Sequence, residues 1–82
     1  MGKVATIFKV YAEDGADPEA ILKSISAEMK PTSVQMEDIG FGIKVIKVMF
    51  VHEDNDGSTE YESKLRKFQG VKEVEVADES LL

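Results

Sequence analysis

Nine consecutive residues, Ile43 to Val51, are apolar at every position except Lys44 and Lys47 and rich in β-branched side chains. Such a run reads as a central strand, hydrogen-bonded on both edges. A chain of 82 residues that contains one must supply the neighbouring strands and the covering layer from what remains. There is room for one core and no second domain, so residues 1–82 are expected to form a single domain.

The remaining segments supply both. Lys3 to Ala12 alternates, with Val4, Thr6, Phe8 and Val10 on one side and Ala5, Ile7, Lys9 and Tyr11 on the other, which predicts a strand. The turn Glu13-Asp14-Gly15-Ala16 ends it, and Asp17-Pro18 offers an N-cap followed by proline at the first helical position. Ile21, Leu22, Ile25 and Met29 share a helical face, and Pro31 stops the helix at or just after Met29. Ser33 to Ile39 reads as a weaker strand, interrupted by Glu37-Asp38, and Gly40-Phe41-Gly42 joins it to the central run as a hairpin.

Beyond the central run, His52 to Ser58 is an acidic turn, and Ser58 or Thr59 can cap a second helix, Thr59 with Glu62 having capping-box spacing. Tyr61, Leu65 and Phe68 form its buried stripe. Glu60 with Lys64 and Glu62 with Arg66 form stabilising pairs outside, as Glu19 with Lys23 does on the first helix. Gly70 sits at the left-handed C-terminal cap, and Val71, Val74 and Val76 mark a short last strand. Ala77 to Leu82 reads as a partly ordered tail, dispensable for folding from Asp78 onward. The order strand, helix, strand, strand, helix, strand, with right-handed crossovers, gives an α+β ferredoxin-like sandwich: a four-stranded antiparallel sheet with both helices on one face. That architecture serves many activities and does not by itself assign one.

Composition removes several classes. The formal net charge is −6, the only arginine is Arg66, and no local basic patch offsets the acidity, so direct nucleic-acid binding is not expected. Cysteine is absent, which excludes disulfide frameworks and thiolate metal sites and agrees with a cytoplasmic location. No apolar run approaches the ~20 residues of a membrane span, and the opening residues carry no secretory signal. His52, beside Glu53, Asp54 and Asp56, permits a divalent-metal reading, but these residues have no fixed ligand spacing, and a histidine ending a strand above a solvated turn is the plainer account. Gly40 and Gly42 lead into a strand rather than a helix, so they do not form a phosphate loop. No cofactor and no covalent chemistry is expected. Phe8, Phe50 and Phe68 read as core. Phe41, between two glycines at a hairpin tip, is either folded back on the sheet end or offered to a partner.

Ile39-Gly40-Phe41-Gly42-Ile43-Lys44, running into the central strand, resembles the hairpin-and-strand signature of the elongation factor 1-beta exchange domain. The Asp-Pro helix start, the acidic loop ending in Asp56-Gly57 and the closing Gly70 to Val76 segment agree in order, so the resemblance covers the whole chain. It implies a guanine nucleotide exchange factor of translation elongation. Members bind the GTPase elongation factor 1-alpha in its GDP-bound form, disturb its magnesium and phosphate region and leave an emptied site for GTP. Carried over by motif, the partner-binding residues are Gly40, Phe41, Gly42 and Lys44, with Phe41 as the apolar contact. Eukaryotic members place a lysine next to the C-terminus at the magnesium site. This chain reads Asp78-Glu79-Ser80-Leu81-Leu82 there, so its exchange would rest on other contacts.

The alternative on the same fold is a small-molecule sensing domain of the amino-acid-binding kind, which works as a dimer where an exchange domain is expected to be a monomer. Acylphosphatase chemistry would need an arginine in a glycine-rich loop where this chain has Glu13-Asp14-Gly15. If Phe41 is the anchor that the resemblance implies, Phe41→Ala leaves urea-melt stability within about 1 kcal/mol and weakens binding by about 2 kcal/mol or more. A loss of about 3 to 5 kcal/mol in the melt would instead place the ring in the core.

Overall fold

The computed structural model describes residues 2–40, 43–53 and 59–82. The elements run β1 (Lys3–Ala12), α1 (Pro18–Met29), β2 (Ser33–Gly40), β3 (Ile43–Glu53), α2 (Thr59–Arg66) and β4 (Val71–Leu81). The strands form one antiparallel sheet in the order β2-β3-β1-β4, the ferredoxin-like arrangement that the periodicities predict. The central run is an inner strand, paired to β1 and β2, as its apolar content requires.

One sheet face carries the helices. Val4, Thr6, Phe8 and Val10 of β1 stand opposite His52, Phe50, Val48 and Ile46 of β3, and this face meets Ile21 and Ile25 of α1 and Leu65 of α2. Phe8, Val10, Ile25, Ile46, Val48 and Leu65 are fully buried there. The Phe50 ring meets Phe8 edge-on at 6.0 Å and stacks on Tyr61 at 4.6 Å, joining β1, β3 and α2 through one aromatic column. Among the described residues the other face has no helix over it, and it carries an ion pair between Lys47 Nζ and Glu37 Oε2 at 2.9 Å.

Helix ends follow local chemistry. Asp17 Oδ1 accepts the Glu19 N–H at 3.0 Å, Pro18 begins α1, and Lys30 turns left-handed before Pro31. The α2 stripe ends earlier than a continuous helix through Phe68 would. Lys67 and Phe68 donate to the carbonyls three residues back, at 3.2 and 3.3 Å, so the final turn tightens and leaves the α-helical ladder. The choice between Ser58 and Thr59 side chains as its cap lies outside the described residues. Of the expected helix pairs, Glu62–Arg66 closes, at 3.6 Å. Gly70 takes φ +89, and a Cβ there would stand 3.2 Å from both Ala16 and Ile21 side chains. The Gly70 carbonyl also accepts the Glu13 N–H at 2.8 Å, tying the turn after β1 to the turn before β4.

Arg66 does more than pair along its helix. Its guanidinium donates to the Val74 carbonyl at 2.9 Å and lies 2.6 Å from Glu73 Oε1, while Glu73 Oε1 accepts the Val74 N–H at 3.0 Å. The Glu73 carboxyl is held below the usual range by that backbone bond and by Arg66. A depressed carboxylate stabilises the fold above its unfolded value, so this clamp is complete at neutral pH and loosens as pH falls through the depressed range.

The tail reading is corrected. β4 continues to Leu81, with Asp78, Glu79, Ser80 and Leu81 opposite Ile7, Thr6, Ala5 and Val4. Leu82 N–H adds a 2.8 Å bond to the Lys3 carbonyl. The side chains from Ala77 onward are exposed, so backbone pairing rather than apolar burial holds the segment, and a register shift between Ile7 and Phe8 accommodates the extra residue. Deleting Asp78 to Leu82 strips one edge of β1 from Val4 to Ile7 and is expected to cost about 2 kcal/mol or more in a urea melt.

Candidate functional site at the hairpin end of the sheet

At one end of the sheet the close of β1, the turn after it, the end of β2, the start of β3 and the start of β4 come together. They surround a groove of about 580 Å³ whose lining includes Tyr11, Glu13, Ile39, Ile43, Lys44 and Lys72. Gly40 takes φ +101, a conformation that L side chains rarely adopt, and its N–H donates to Asp38 Oδ1 at 2.9 Å. Between Asp38 and Gly40 the register with β3 shifts, leaving Ile39 without a directly opposed partner. That shift turns an apolar side chain outward: Ile39 is 49% exposed and Ile43 50%.

Of the residues that the motif singles out, Gly40 and Lys44 lie at this end, with Lys44 exposed and opposite Asp38 in register. Phe41 and Gly42 lie outside the described residues. Among the described residues neither Lys44 nor Lys72 enters an ion pair. The Tyr11 hydroxyl is raised above its ordinary value by desolvation first and then by the Glu75 carboxylate, which keeps it a neutral donor at the groove wall. Ile39 and Ile43 are the residues that sequence reasoning passed over. The sequence pattern places Ile39 in the weaker strand and Ile43 at the start of the central run, and the register shift and the strand ends expose them.

The opposite end of the sheet holds His52. Its Nε2 lies 2.8 Å from Thr6 Oγ1 and its Nδ1 3.0 Å from the Glu53 carbonyl oxygen, and the ring packs 5.4 Å from Tyr61. At 7% exposure it is buried, and it stands at the end of β3 as expected, one residue before Glu53; the turn expected after it lies outside the described residues. Both ring nitrogens are engaged within the fold. Among the described residues no group of three or more histidine, cysteine or carboxylate side chains could hold a metal ion, and no helix is long and apolar enough to cross a membrane.

The exposed pair of isoleucines, the groove and the two lysines lie together at one end of an α+β ferredoxin-like domain. Residues 5–82 match the EF-1 guanine nucleotide exchange domain, and the chain belongs to that family. It is 38% identical over 87 residues to elongation factor 1-beta of Methanosphaerula palustris, covering 99% of each chain. Elongation factor 1-beta of Aeropyrum pernix is 36% identical over 88 residues, 98% of this chain and 97% of its own. That of Methanoculleus marisnigri is 34% identical over 84 residues and covers both chains fully. Family membership favours nucleotide exchange in translation elongation over small-molecule sensing.

Proposed function

We propose that the chain promotes GDP release and GTP reloading on elongation factor 1-alpha by docking the hairpin end of its sheet against that GTPase. The contact set is Gly40, Phe41, Gly42 and Lys44, joined by Ile39 and Ile43. One observation carries the docking surface: Ile39 near the end of β2 and Ile43 at the start of β3, 49% and 50% exposed, both line the groove. An aliphatic pair held in solvent by a fixed register suits burial against a partner. Lys44 and Lys72 stand among Glu13, Asp14, Glu73 and Glu75 in the groove lining, so this end presents charge of both signs, with the acidic sign in excess, and that pattern orients the docking.

Exchange of this kind needs no covalent step, and the protein acts as a binding partner rather than as an enzyme. Its requirement is differential affinity: the domain must bind the nucleotide-free partner more tightly than the GDP-loaded one, and GDP must weaken the domain by the same factor. A thousandfold acceleration that reflects such a difference corresponds to about 4 kcal/mol. Burying two exposed isoleucines and an aromatic anchor is of that order.

The monomeric reading has support at one sheet edge. At Val74 the edge of β4 is occupied by Arg66 and Glu73, and two register shifts with β1 interrupt its line. Such devices discourage edge-to-edge pairing of copies. Sizing by light scattering is expected to return the monomer mass.

The decisive assay is release of fluorescent GDP from purified elongation factor 1-alpha. Substoichiometric protein should accelerate release, and the double variant Ile39→Ser, Ile43→Ser should lose about tenfold or more of that acceleration while its melt stays within about 1 kcal/mol. No acceleration by the unaltered chain would reject the exchange function. Acceleration unchanged in the double variant would reject this end of the sheet as the docking surface.

A further inference from the structure

At its far end β2 sets one residue too many against β3. From Ser33 opposite Met49 to Asp38 opposite Lys44 the two strands pair one to one, and a ladder continued in that register would set Ile39 directly opposite Ile43. The two apolar side chains would then pack on each other as a cross-strand pair. Gly40 takes the position opposite Ile43 instead. Ile39 becomes the extra residue of a bulge, and both isoleucines remain half exposed.

Local chemistry selects the bulged register. Gly40 has the φ of +101 that the bulge requires, and Asp38 Oδ1 reaches across Ile39 to accept the Gly40 N–H at 2.9 Å, closing an Asx turn around the extra residue. Asp38 stands opposite Lys44, yet among the described residues no ion pair joins them. Its carboxyl group is engaged by the backbone, and Asp38 is not among the residues that line the groove. We propose that Asp38 is a positioning residue for nucleotide exchange: by holding the Gly40 N–H it keeps β2 in the register in which Ile39 and Ile43 are offered to the partner and not to each other. The assignment rests on the docking reading of this end of the sheet.

Two registers of one strand end differ in what they can bind. A domain whose competent form is only part of the population binds with an apparent affinity reduced by that fraction. A hydrogen bond at the upper end of the usual net range moves such a balance about tenfold. The competent fraction falls by less than that, because the bulged form is the major one to begin with. Once docked, the contacts are the same in either case, so the effect appears in the concentration of domain that exchange requires and leaves the maximal rate alone.

Saturation curves of GDP release from purified elongation factor 1-alpha, with amide hydrogen exchange at Gly40 in the free full chain, test this. Asp38→Ala removes the acceptor. It should raise the half-saturating concentration about threefold at an unchanged maximal rate, and lower Gly40 protection about tenfold after correction for intrinsic exchange. The Thr32 amide, bonded to the Met49 carbonyl, should keep its protection. Asp38→Asn retains Oδ1 without the charge and should match the unaltered chain in both readings. Asn and Ala variants equally impaired would make Asp38 a charge contact and overturn the inference. An unchanged half-saturating concentration in Asp38→Ala, or Thr32 protection lost along with that of Gly40, would overturn it too. Failure of the underlying reading looks different. Acceleration that survives Ile39→Ser, Ile43→Ser rejects the docking surface and the role of Asp38 with it, whereas a double variant that is impaired beside an unimpaired Asp38→Ala rejects Asp38 alone.

Discussion

Phe50 is the side chain on which the layered structure depends. Its ring lies edge-on to Phe8 of the neighbouring strand and stacked on Tyr61 of α2, so one residue sets both the β1–β3 packing and the seat of the second helix. The position leaves little freedom nearby. Alternation along β3 places His52 on the same face two residues later, and Tyr61, already fixed on Phe50, extends over the imidazole. A histidine in that place must be buried, and a buried imidazole needs partners. Thr6 and the Glu53 carbonyl are those partners, and Thr6 in turn engages Glu79. The polar relay is thus a consequence of aromatic packing.

Element lengths determine what the helices leave bare. Strands of 10 and 11 residues at about 3.3 Å per residue run about 33 to 36 Å, while helices of 12 and 8 residues at about 1.5 Å per residue run about 18 and 12 Å. Two such helices cover the middle of the sheet and cannot reach both ends. Among the described residues, four of the five large exposed apolar side chains fall accordingly, Ile39 and Ile43 at one end and Leu81 and Leu82 at the other, while Val76 lies along the β4 edge opposite Phe8. Overhang costs apolar exposure, and at the hairpin end it forms the groove that serves as the proposed docking surface.

Strand and helix order was legible because each element repeats its period several times, as with Phe8 and Val10 in β1 or Ile21 and Ile25 in α1. The end of β4 was not. Glu75, Asp78, Glu79 and Ser80 break any apolar alternation, because an edge strand beyond the helices is exposed on its sides and needs only backbone partners. A subtler signal was available: β1 begins at Lys3, and its free edge from Val4 to Ile7 requires a neighbour that a strand ending at Val76 cannot supply. The burial of His52 was legible too, by extending the alternation Ile46, Val48, Phe50 one step further. The exposure of Ile39 was not, since it depends on a register shift that no local residue pattern announces.

An exchange factor is effective to the extent that its contact energy appears as distortion of the partner's nucleotide site rather than as ordering of its own chain. Geometry at the hairpin end favours the first. Ile43 begins a strand that is paired on both sides from Val45 to Met49, and Ile39 is flanked by Asp38 and Gly40, both in register with β3 and bonded to each other. The conformational cost of presenting these side chains was met when the sheet formed. The ordering cost that remains on docking is that of side-chain rotamers, about 0.5 to 1.5 kcal/mol for each that is rotamer-rich. That is small beside the roughly 4 kcal/mol a thousandfold shift in affinity represents, so a sheet this short can still drive exchange through a handful of residues.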